Sequence, residues 1–128
     1  MSAPCPFCTP APARTFLETE QVIAMWDAHP VSPGHALLIP RRHVADWFSA
    51  TDAERTALAA ATVKVRREIE RLHSPDGYNI GINVGEAAGQ SVFHLHLHVI
   101  PRYRGDVPQP RGGIRGVIPW RCDYTEKP

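Results

Sequence analysis

Ser91-Val92-Phe93-His94-Leu95-His96-Leu97-His98-Val99-Ile100-Pro101 is the stretch whose reading decides the fold. Three histidines alternate with apolar residues. A β-strand repeats its side-chain direction every two residues. Read as a strand, it puts His94, His96 and His98 on one face and Leu95, Leu97 and Val99 on the other, toward a core. A helix would scatter the histidines around its circumference, and the β-branched Val92, Val99 and Ile100 favour the strand.

Such a row has two chemical readings. One is a metal site. Alternate strand residues lie about 6.6–6.8 Å apart, so His94 and His98 are about 13 Å apart. Zinc–nitrogen bonds are about 2.0–2.1 Å, so the outer pair reaches one ion with difficulty. The other reading is a nucleophile flanked by groups that bind and orient what it attacks. The preceding turn, Gly85-Glu86-Ala87-Ala88-Gly89-Gln90-Ser91, favours the second. Glycine lets backbone approach a ligand closely. Backbone N–H groups with Asn83, Gln90 and Ser91 are then phosphate donors. Gly81-Ile82-Asn83-Val84 is the expected partner strand.

The chain has 128 residues, which fits one domain spanning 1–128. A net charge of +1 gives no strong pull toward nucleic acid or a membrane surface. No apolar run approaches a membrane span. Pro4, Pro6, Pro10 and Pro12 are unlike a signal peptide. Three cysteines do not make a disulfide framework, so a cytoplasmic protein is expected.

Residues 1–13 form a proline-rich arm in which Cys5-x-x-Cys8 reads as half of a tetrahedral zinc site or as a redox pair, the latter fitting a proline-rich arm less well than a strand–helix junction. Thr15–Glu18 and Gln21–Trp26 read as a hairpin. His35–Pro40 is an apolar, central strand, and Asp27 and His35 flank the loop before it. Arg41 and Arg42 read as a solvated basic loop. Thr51-Asp52-Ala53-Glu54 is a capping box that starts a helix over 52–72. Its stripe of Leu58, Ala61, Val65, Ile69 and Leu72 faces a core. Residues 78–84 return as a strand, and 101–128 form an irregular tail docked through Trp120 and Tyr124 onto the body or onto a second subunit.

His94-x-His96-x-His98 resembles the signature of the histidine triad (HIT) superfamily of nucleotide hydrolases and transferases. Ser32-Pro33-Gly34-His35-Ala36-Leu37-Leu38-Ile39-Pro40 and Asn83…Gly89-Gln90-Ser91 resemble two further landmarks of that family, in the same order. The ending Ile100-Pro101-Arg102-Tyr103-x-Gly105-Asp106 is more similar to the fragile-histidine-triad and bacterial dinucleoside-polyphosphate branch. The resemblance implies an α+β fold, with about five antiparallel strands and one long helix, dimerised into a continuous sheet. It implies that His96 attacks the α-phosphate of an adenine nucleotide substrate and forms a nucleotidyl-imidazole. His98 would contact the phosphate, supported by His35. Gly89, Gln90, Ser91 and Asn83 would lie on the phosphate side, and Asp27 on the ribose. Phe16, Val22, Ile23 and Trp26 fall where the family lines its base pocket. The resemblance also implies a structural zinc on Cys5, Cys8, His43 and His94, with no catalytic metal. The competing function class is a nucleotide-binding interaction module without turnover, and a third is a transition-metal binder using the histidine row.

Overall fold

The computed structural model describes residues 4–122. Its regular elements are β1 (Thr15–Glu18), β2 (Val22–Trp26), β3 (Ala36–Pro40), α1 (Asp52–Leu72), β4 (Gly77–Gly81) and β5 (Leu97–Arg102). The strands form one five-stranded antiparallel sheet in the order β1-β2-β3-β5-β4. With one long helix this is the α+β architecture that the sequence predicts.

The two faces of the sheet have different roles. Val22, Ala24, Ala36, Leu38, Leu97 and Val99 face α1, whose Leu58, Ala61, Val65 and Ile69 complete the main core. Leu58, Val65 and Ile69 are wholly buried. Each such side chain contributes about 1.5–3 kcal/mol by leaving water. On the opposite face Ile23, Met25, Leu37 and Ile39 make a smaller buried cluster, with Phe7 of the arm packed against it. The register sets Leu37 of β3 and Gly81 of β4 on either side of His98 in β5. His98 therefore stands on the face away from the helix.

The capping box forms as expected. Thr51 Oγ1 accepts from the Glu54 N–H at 3.0 Å, and Glu54 Oε1 accepts from the Thr51 N–H at 2.9 Å. Both helix bounds match the sequence reading. The buried stripe ends at Ile69, however, and Leu72 at the last turn is 52 % exposed. Arg41 and Arg42 are not merely solvated. Arg42 donates to both Glu54 oxygens, at 2.7 and 3.0 Å, and holds the Glu54 carboxyl down to about 2. Arg41 donates to Glu18 and to the Thr19 carbonyl.

The decisive stretch is a strand for only half its length. β5 starts at Leu97, and His94 and His96 precede it. The Leu95 N–H donates to Val44 O at 2.7 Å, and the His94 ring reaches Pro40 O at 2.8 Å. The connection after β3 thus takes the chain before it can join the ladder. β4 accordingly stops at Gly81, not Val84, because β5 offers it no partner upstream of Leu97. Trp120 does not dock the tail onto the body of its own chain, since it is 82 % exposed, and Tyr124 lies outside the described residues. No helix among the described residues is long and apolar enough to cross a membrane.

Candidate active site and metal centre

The histidine row divides into two constellations. His94 belongs to the first. Its ring is fully buried, and its Nε2–H donates to the Pro40 carbonyl. That bond places the remaining lone pair on Nδ1, which lies 3.4 Å from Cys5 Sγ and 3.6 Å from Cys8 Sγ. Cys8 Sγ is also 3.0 Å from His43 Nδ1. The ligand atoms of Cys5, Cys8, His43 and His94 all lie within 4.8 Å of one another, so the four could hold a metal ion. Burial pushes the His94 pKa down, which favours the neutral ring that a metal requires. A carbonyl on the far nitrogen is the usual partner that orients a ligating histidine. Two thiols and two imidazoles form a donor set that suits zinc.

The second constellation is His96, His98, His35 and Asp27. The Val31 N–H donates to His35 Nδ1 at 3.2 Å, so the His35 proton sits on Nε2. That Nε2–H is 2.9 Å from His98 Nδ1 and donates to it. His98 in turn carries its proton on Nε2. Asp27 Oδ2 lies 3.4 Å from His35 Nε2 and holds the same end of the chain of bonds. Burial, then the neighbouring His96 and His35, bring the His98 pKa down to about 4. Burial also lowers that of His35, against the pull of Asp27. Both rings are neutral near pH 7.

His96 is oriented separately. Its Nδ1–H donates to the His94 carbonyl at 2.9 Å, which leaves the Nε2 lone pair unprotonated. Its ring centroid is 5.1 Å from that of His98. A bare imidazole nitrogen beside a neutral N–H donor is a nucleophile beside an anion contact. The two rings line a cavity of about 440 Å³ together with Asp27, Asn83, Gly89 and Ser91. Gly89 adopts φ +97°, so a side chain there would be strained.

Gln90 does not join them. Its amide is buried and committed to the loop backbone. Nε2 donates to Ala45 O at 2.7 Å and Val92 O at 3.1 Å, and Oε1 accepts from the Gly85 N–H at 2.8 Å. Gln90 shapes the turn and does not line the cavity. The expected base-pocket residues are also elsewhere. Phe16 and Trp26 stack on each other at 3.8 Å and pack with Val22 on the helix side. Ile23 faces the small cluster without lining the cavity. The apolar wall comes from Pro6, Phe7 and Leu37, and Arg14 adds a cation. Sequence reasoning missed these. The available signal was the position of Pro6 and Phe7 between Cys5 and Cys8, because a pair of cysteines on His94 carries the intervening residues to the neighbour of His94.

Asp27, His35 and His98 also bring three ligand atoms within 4.8 Å of one another. Both His35 nitrogens are already hydrogen-bonded, so a metal there would have to break that chain of bonds.

Comparison with known proteins places the chain in a family. The HIT domain model matches residues 9–105. A protein named Ap-4-A phosphorylase from Mycobacterium tuberculosis is 36 % identical over 116 residues, covering 79 % of this chain and 60 % of that one. An asymmetrical bis(5'-nucleosyl)-tetraphosphatase from Schizosaccharomyces pombe is 39 % identical over 97 residues, covering 76 % of this chain and 53 % of that one. The chain thus spans little more than half the length of these two relatives. The crystal structure of a Zn-bound histidine triad family protein from Mycobacterium smegmatis superimposes with a TM-score of 0.73 at 39 % identity, covering 82 % of this chain and 79 % of that one. On the matched domain, the sheet and the histidine row, the chain belongs to the HIT domain family.

Proposed function

We propose that this protein is a nucleotide hydrolase or nucleotidyl transferase that cleaves at the α-phosphate through a nucleotidyl intermediate on His96. One observation carries the reading: the hydrogen bonds leave a bare Nε2 on His96 and an Nε2–H on His98. His96 Nε2 attacks phosphorus, and the bond from phosphorus to the leaving oxygen or nitrogen breaks with its electron pair. The Nε2–H of His98 donates to the phosphate oxygen on which charge develops. Water then attacks phosphorus, the P–N bond breaks with its electron pair returning to His96 Nε2, and the proton lost by water goes to solvent, replacing the one that the leaving oxygen or nitrogen takes up. Asn83, Ser91 and the backbone at Gly89 hold the phosphate, and Asp27 holds the ribose. The names of the two relatives point to dinucleoside polyphosphates as substrates, with nucleoside phosphoramidates as the other class that this chemistry admits.

The Cys5, Cys8, His43 and His94 quartet is read as a structural zinc site, supported by its donor set and by the Zn-bound relative. Bound there, zinc would tie the arm to the body and take no part in the chemistry. β4 is an edge of the sheet, and pairing it with the β4 of a second copy would make a continuous sheet and a homodimer. The protein is read as one cytoplasmic domain that binds neither nucleic acid nor membrane.

The test is AMP release from diadenosine tetraphosphate and adenosine phosphoramidate, with protein quenched in alkaline denaturant, where a phosphorus–nitrogen bond survives, and examined by mass spectrometry. An adenylyl group on His96 is expected in the wild type and absent from His96→Ala. Turnover that persists in His96→Ala would overturn the mechanism.

A further inference from the structure

Pro6 and Phe7 lie between Cys5 and Cys8, two of the four candidate metal ligands. Pro6 and Phe7 line the cavity that holds His96. The Phe7 ring meets His96 edge-on at 5.0 Å and His94 at 6.1 Å. It also covers the small cluster of Ile23, Met25, Leu37 and Ile39. The arm that carries it has prolines at 4, 6, 10 and 12, which lack the N–H that a sheet ladder needs. β1 begins only at Thr15. The arm meets the body here through two sulfurs, on His94 and His43, and one aromatic ring.

The cavity lining combines two chemistries. His96, His98, Asn83 and Ser91 are polar, whereas Pro6, Phe7 and Leu37 are apolar. A ligand whose phosphate sits at His96 would set its nucleoside against these apolar side chains. We propose that the metal holds one wall of this cavity. With an ion on Cys5, Cys8, His43 and His94, Pro6 and Phe7 are pressed beside His96. Metal content then sets nucleotide affinity and the accessibility of His96, and leaves the chemical step alone. Thr15 of β1 holds the far end of the arm through the Ala11 and Pro12 carbonyls, so without the ion the segment around Phe7 is ordered chiefly by that ring, against the conformational entropy of its residues. The identity of the ligand rests on the proposed function; the clamp does not. Phe7 is accordingly a positioning residue.

The experiment compares wild type and Phe7→Ala, each zinc-loaded and metal-free. AMP affinity is measured by calorimetry. The rate at which diethyl pyrocarbonate modifies His96 is read by site-resolved mass spectrometry. Removing the metal or the ring is expected to weaken AMP about tenfold, the scale of one lost aromatic contact. Either change speeds His96 modification by a similar factor. The two changes together exceed either alone only slightly, because they remove the same wall. Phe7→Ala raises KM and keeps kcat within about twofold. Equal affinity and equal modification rates in folded metal-free and loaded protein overturn the clamp. Where metal removal unfolds the chain, loaded Phe7→Ala decides: an unchanged rate at His96 overturns the proposal. If loaded wild type binds no AMP, the nucleotide reading fails, and the His96 modification rates still judge the clamp.

Discussion

His94 and His96 are two residues apart and carry the same ring, yet their surroundings give them opposite chemistry. His94 donates from Nε2 to Pro40 O and turns Nδ1 to two sulfurs in a fully buried position. His96 donates from Nδ1 to the His94 carbonyl and turns Nε2 into the cavity. Each ring is fixed by one backbone carbonyl, and which nitrogen that carbonyl engages decides whether the ring offers its lone pair to the sulfurs, as a ligand would, or to the cavity, as the proposed nucleophile would. His98 shows a third outcome. A side chain, His35, occupies its Nδ1, and its Nε2 keeps the proton. Alternation along the chain thus presents three rings, and the groups behind them assign the work.

The sharpest way to break this comparison is at the nucleophile. His96→Ala is expected to lower AMP release on the order of 10³-fold or more, because the covalent route is lost. The melting temperature should stay near that of the wild type, since His96 is only partly buried and ties no element in place. Equal turnover in the variant would mean that the division of roles is wrong. His35→Ala should cost less, about 10–100-fold in kcat, because it acts only through the tautomer of His98. His35→Gln keeps an N–H donor and should recover part of that loss. If Gln and Ala variants are equally slow, the orientation of His98 does not depend on His35.

Metal removal probes the other constellation. Loss of an ion held at about a hundred times its dissociation constant removes about 2.7 kcal/mol. For a chain of this size that is a drop in melting temperature on the order of 10 °C. His94→Ala should reproduce the drop and become insensitive to chelator, whereas His96→Ala should respond to chelator as the wild type does. A chelator response missing from the wild type would remove the metal from the account of the arm.

What could be read in advance follows the range of the interaction. The helix bounds were legible because the Thr51 and Glu54 box is local, three residues across. Burial of Leu95, Leu97 and Val99 was legible because alternation is local too. The start of β5 was not, since it is set by Pro40 and Val44 more than fifty residues earlier. Gln90 looked like a phosphate donor by its place in a glycine turn. Only the fold reveals that Ala45 and Gly85 already engage its amide. The metal quartet was reached through family likeness, as Cys5 and His94 have no local relation.

The smallest expected effect separates the two constellations by pH. His98 is held at about 4 in the folded chain, by burial first and by His96 and His35 next, with Asp27 opposing. In the unfolded chain a histidine titrates near about 6.5. Between these values the unfolded chain binds a proton that the folded chain refuses, so stability rises with pH across the window. The contribution is whole above about pH 6.5, falls as the pH drops toward 4, and levels off below. Protons also compete with a metal for its ligand atoms as the pH falls. A loaded wild type therefore loses stability on acidification from both sites at once. Comparing loaded wild type with loaded His98→Asn cancels the metal part. Denaturant midpoints at pH 7 and pH 5 should fall further in the wild type than in His98→Asn. Parallel falls would place the acid sensitivity wholly at the metal site and leave the low affinity of His98 for a proton without consequence for folding.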